Sequence, residues 1–93
     1  MNKSQLERRV TALNKMLGRP VEPYTHDGER LRANVGCIFL EHNTHYGYKI
    51  VEISNENGGE RTLTEGLTLK AATEWVTGAY WMHQTISTFP VAP

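Results

Sequence analysis

Apolar residues in the first segment of the chain recur at Leu6, Val10, Leu13 and Leu17, spacings of four, three and four that gather them on one helical face. The pattern predicts a helix over 4–17. Ser4 followed by Glu7 fits a reciprocal N-terminal cap, and Gly18 with Pro20 supplies the stop. Arg8, Arg9 and Lys15 fall on the opposite, polar face. The next stretch, RPVEPYTHDGERL, has no period and carries two prolines and an Asp27-Gly28 pair. It predicts a long loop with a turn and at most a short extended piece near Tyr24.

From Ala33 the period shortens to two. ANVGCIFLE is rich in β-branched and aromatic residues, and YGYKIVEIS alternates, with Lys49, Val51 and Ile53 on one side and Tyr48, Ile50 and Glu52 on the other. His42 to His45 then falls in the loop between two antiparallel strands. NENGGE marks a second tight turn, and ERTLT a short third strand. Thr68 is placed to cap a last helix whose stripe runs Leu69, Ala72, Val76, Ala79, Tyr80 and His83, with Trp75 adjacent. Gly78 costs that helix about 1 kcal/mol relative to alanine and permits close approach by another helix or strand. The expected fold is α+β in the order α-β-β-β-α, a three-stranded antiparallel meander with two helices packed on one face. A single domain is expected over 1–87, followed by an extended or frayed tail at 88–93.

Ninety-three residues, 39% hydrophobic and 22% charged, suit one globular domain with a modest core. The longest apolar run, CIFL, is far too short for a bilayer, and MNKSQLERRV lacks a signal-peptide core, so a cytoplasmic location is expected. Formal charge is zero but unevenly spread: residues 1–32 hold seven basic against four acidic side chains, and residues 33–93 three against six. Either the folded halves neutralise each other, or the asymmetry steers a partner or favours head-to-tail self-association as a homo-oligomer.

Candidate chemistry is thin. His42 and His45 stand three apart, but in a loop that spacing does not align two imidazoles. His26, Asp27, Cys37 and Glu41 add no recognisable ligand spacing, so no metal and no cofactor is expected. Cys37 lies in an apolar strand, where burial raises a thiol's pKa and makes it a poor nucleophile. His26-Asp27 is one adjacent pair, with Asp27 capping its own turn. There is no phosphate loop or nucleophile elbow. The expectation is a protein that is not an enzyme. Tyr24 and His26 in the long loop, His42, His45, Tyr46 and Tyr48 around the hairpin, and the off-stripe Trp81 are the expected partner-binding residues. Tyr46 and Tyr48 share one side of a strand and are expected to form a patch on the sheet face left open by the helices.

The pattern LN…LG.P, NVG and GY.I..I.N..GG resembles a group of small proteins of tailed phages and prophages. It is carried here by Leu13-Asn14, Gly18, Pro20, Asn34, Gly36, Gly47, Tyr48, Ile53, Asn55, Gly58 and Gly59. HYGYK stands where that group more often has a double glycine before the tyrosine. The resemblance spans about residues 5–80 and implies a phage context, in a host cell's cytosol, without implying a chemistry. The expected function is that of a phage-type accessory protein that binds a host or viral macromolecule, one version being inhibition of a host defence or regulatory protein. A second, topological likeness is to double-stranded-RNA-binding domains, whose last helix starts with a lysine cluster. Here that position reads TLKAATEW, with Lys70 alone. Nucleic acid is the alternative partner, gripped by Arg8, Arg9, Lys15, Arg19, Arg30 and Arg32. A third class is a small-molecule or nucleotide pocket at a dimer interface, lined by His45, Tyr46 and Arg32.

Overall fold

A computed structural model describes residues 2–88, with side chains through His83. It is α+β, with two helices and two antiparallel sheets. Helix α1 spans Lys3–Leu17. Its cap lies two residues before the expected one: the Asn2 side chain accepts from the Gln5 N–H at 2.9 Å, and the Gln5 side chain accepts from the Asn2 N–H at 2.9 Å. Asparagine caps as well as serine. Glu7, expected in that box, faces Lys3 at 3.9 Å instead. Gly18, left-handed at φ 69°, ends the helix as expected.

Leu6, Val10 and Leu13 are buried, and so is Asn14. Asn14 is the one buried polar residue among those described, and it is fully used. Its Nδ2 donates to the Ile38 carbonyl at 2.7 Å and its Oδ1 accepts from the Ile38 N–H at 3.0 Å. The side-chain amide thus pairs with a strand backbone as a neighbouring strand would. An orphaned donor there would cost about 1–3 kcal/mol.

The expected loop at 19–31 contains a β-hairpin of its own. Strand β1, Tyr24–Asp27, pairs with β2, Arg30–Ala33, across a two-residue turn at Gly28-Glu29. All of its strand residues except Ala33 are exposed, so no hydrophobic alternation announces it. The Asn34 Nδ2 closes its base by donating to the Glu22 carbonyl and to Thr25 Oγ1, at 2.9 and 2.8 Å. Ala33 therefore ends β2, and the next strand, β3, begins only at Ile38.

Strands β3 (Ile38–Asn43), β4 (Gly47–Ile53) and β5 (Glu60–Leu67) form the expected meander. β5 is longer than ERTLT, running on to Leu67 with two register shifts in its pairing with β4. Gly47 starts β4 at φ 80°, with the Leu67 carbonyl oxygen 2.6 Å from where a Cβ would sit. No other residue fits there without backbone movement.

Helix α2 runs from Leu69 to Thr88, with Thr68 Oγ1 accepting from the Ala71 N–H at 3.1 Å. The tail expected at 88–93 overlaps the helix at residue 88 and otherwise lies outside the described residues. Both helices cover one face of the meander. Leu6, Val10 and Leu13 meet Ile38, Tyr48 and Ile50 from one side and Ala72 and Val76 from the other. Each large side chain buried there contributes about 1.5–3 kcal/mol. Ala33, Cys37 and Ile53 make a second, smaller cluster at the base of the hairpin.

Between these clusters Glu52 receives two arginines. Arg19 pairs with its Oε2, and Arg61 Nη2 lies 2.9 Å from its Oε1. Arg19 also donates to the Gly36 carbonyl at 3.0 Å, tying the exit of α1 to the sheet.

Candidate functional site

The residues expected to bind a partner are distributed over three places. Tyr24 and His26 stand exposed on β1, with the Tyr24 hydroxyl 3.4 Å from the position a Cβ would take at Gly58. His42, His45 and Tyr46 sit at the β3–β4 end of the sheet. His42 belongs to β3 rather than to the loop, opposite Tyr48. The turn is built by Asn43, whose Oδ1 accepts from the N–H groups of His45 and Tyr46 at 2.8 and 3.3 Å. Trp81 stands alone on α2.

Tyr48 corrects the expectation. It is 9% exposed and packs in the main core, on the helix-covered face, with the His42 ring stacked on it at 4.3 Å. It forms no patch with Tyr46, which is 78% exposed in the turn.

Two concavities deserve comparison. The first, about 480 Å³, lies at the sheet end and is lined by Glu41, His42, Asn43, Tyr46, Lys49 and Glu65, with Gly47 and Gly66. Lys49 Nζ lies 3.9 Å from Glu41, while Glu65 is in no ion pair among the described residues. Partial burial, and then the carboxyl of Glu60, push the Glu41 carboxyl above its ordinary value, while Lys49 pulls it down.

The second, about 350 Å³, is a groove between the outer sides of α1 and α2, lined by Arg9, Ala12, Val76, Thr77, Tyr80 and Trp81. Trp81 is 61% exposed and its neighbour Met82 63%. The Tyr80 and Trp81 rings meet edge to face at 6.4 Å. Arg9 Nη1 donates to Thr77 Oγ1 at 2.8 Å, a neutral partner that positions the guanidinium without neutralising it. Among the described residues Arg8, Arg9 and Lys15 carry no ion pair.

The basic residues expected to grip nucleic acid do not converge. Arg9 lines the helix groove, whereas Arg30 and Arg32 line a separate concavity beside Glu56 and Asn57. Arg19 is committed to Glu52. Tyr46 and Arg32, expected with His45 to line a pocket at a dimer interface, line different concavities of the single chain. Cys37 is buried, and burial, followed by the nearby Glu22 carboxylate, pushes its thiol up. No three His, Cys, Asp or Glu side chains gather in a metal-holding group among the described residues, and no helix there is long and apolar enough to cross a membrane.

Sequence reasoning missed Ala12, Thr77 and Met82. Ala12 is a small exposed residue on a basic face, and only the packing of α2 beside α1 makes it the floor of a groove. Gly78 was visible as a costly residue but had no surface to belong to.

The chain matches no family model, no curated protein and no solved structure.

Proposed function

We propose that this chain is a phage-type accessory protein that acts by non-catalytic binding to a host or viral macromolecule, a protein that inhibits a host defence or regulatory factor being one form of this. The phage context rests on the sequence resemblance. The binding function rests chiefly on one observation: Trp81 stands 61% exposed on the wall of an apolar groove that no described residue fills, with its chain neighbour Met82 63% exposed. Exposed tryptophan is unfavourable in water and is enriched among residues that anchor interfaces.

The test is affinity capture by tagged protein from a host lysate, with and without nuclease, comparing the natural chain with Trp81→Ala. A stoichiometric protein partner that survives nuclease and is lost with Trp81→Ala supports this function. Partners retained by Trp81→Ala, or removed by nuclease, count against it.

A further inference from the structure

The groove between α1 and α2 presents two features that a partner must answer together, and a third lies beside it on α2, outside its lining. Its floor is apolar: Ala12 and Val76, with the rings of Tyr80 and Trp81 as a wall. Its α1 rim is cationic. Arg9 is held in place by Thr77 with its charge intact, and Arg8 and Lys15 lie one turn to either side of Ala12 on the same exposed face. The third feature is Gly78. It sits inside α2, one residue beyond Thr77 and three and four residues before Trp81 and Met82. Glycine at a helix interior is destabilising. Here no described neighbour requires it, because a Cβ at Gly78 would meet nothing within 4 Å. A missing side chain that serves no contact among the described residues leaves α2 open to close approach from outside.

We infer that the groove receives an amphipathic helix from a partner protein, with apolar residues on its buried face and aspartate or glutamate along the flank that meets α1. This rests on the binding function proposed above and names the chemistry of the partner. The partner helix crosses α2 at Gly78, where its backbone comes closest. It takes Trp81 and Met82 as the apolar anchors, and its carboxylates meet Arg8, Arg9 and Lys15. The occupant is a different protein rather than a second copy of this chain, since an isologous contact meets its own surface and the lining of this groove holds no carboxylate to answer Arg9. A nucleic-acid backbone draws on several phosphate contacts in register. The remaining unpaired arginines, Arg30 and Arg32, line a different concavity.

A library of displayed helical peptides, randomised on both faces, tests this against the full chain. The expected outcome is enrichment of sequences with apolar residues at helical spacing flanked by Asp or Glu. Their binding should fall roughly tenfold or more, the scale of an interface hot spot, with Gly78→Leu and with Arg9→Glu. Gly78→Leu fills open space, so its fold serves as its own control and should melt no lower than the natural chain. Four outcomes overturn the inference: basic or uncharged helices enriched; enriched peptides indifferent to Gly78→Leu; a 20-mer nucleic acid that competes for the groove; or a dimer in sedimentation that Gly78→Leu dissolves. If the library yields nothing that depends on the groove while Trp81-dependent lysate capture persists, the helix chemistry falls and the binding function stands. If capture fails as well, both fall.

Discussion

The groove between the helices and the concavity at the sheet end both display an aromatic ring to solvent, yet they are built oppositely. At the sheet end the exposed Tyr46 lies above a tightly organised turn, with Glu41 and Lys49 facing each other across neighbouring strands. The lysine there is answered within the chain, and the buried ring, Tyr48, belongs to the core. At the helix groove Trp81 and its neighbour Met82 are largely exposed, and Arg8, Arg9 and Lys15 of α1 have no ion pair among the described residues. Aromatic residues mark both places in the sequence. What separates them is whether the surrounding groups satisfy one another, and that is a property of packing.

Tyr48→Ala breaks the sheet end most severely. Removing a large buried ring costs about 3–5 kcal/mol, much of a small domain's stability, and urea unfolding should show the midpoint collapse. Gly47→Ala should cost more than about 1 kcal/mol, because a methyl group would lie against the Leu67 carbonyl and φ is positive. It is measured the same way. In the groove the sign reverses. Gly78→Ala should stabilise by about 1 kcal/mol, raising the thermal midpoint by roughly 4–8 °C. Trp81→Ala should change stability by no more than about 0.5 kcal/mol, as exposed positions do, while abolishing partner capture. An unfolded Trp81→Ala would erase the distinction between the two surfaces.

The smallest expected effect concerns pH. The Glu41 carboxyl is raised in the folded state above its ordinary value of 4.5. The folded state therefore holds that proton more tightly than the unfolded one. The resulting stabilisation is fully present below the ordinary value and is lost as pH rises through the raised one. Glu41→Gln removes this dependence. At pH 7 it should be neutral or stabilising by no more than about 0.5 kcal/mol. The advantage should disappear in acid, as followed by thermal midpoints across mildly acidic pH.

The positions that carry the phage-protein resemblance have structural work in this fold. Asn14 hydrogen-bonds the backbone of Ile38, Asn34 closes the base of the hairpin, and Asn55 Oδ1 accepts from the Gly59 N–H at 2.9 Å. A pattern made of such residues describes joints and says little about a partner.

Both helices, the meander and the shared helix-covered face were legible in the chain, because each rests on a local period that apolar side chains follow when one side is buried. The cap at Thr68 and the stop at Gly18 were legible because they depend on residues within a turn of the helix end. The β1–β2 hairpin was not, since seven of its eight strand residues are exposed and exposed strands show no alternation. The fate of each polar or aromatic side chain also lay beyond the sequence. Asn14 and Arg19 are drawn toward partners 24 and 33 residues away and Tyr48 is covered by residues of both helices, while Arg9 and Trp81 remain outside. Periodicity assigns a residue to a face, but only the packed neighbours decide whether that face meets protein or water.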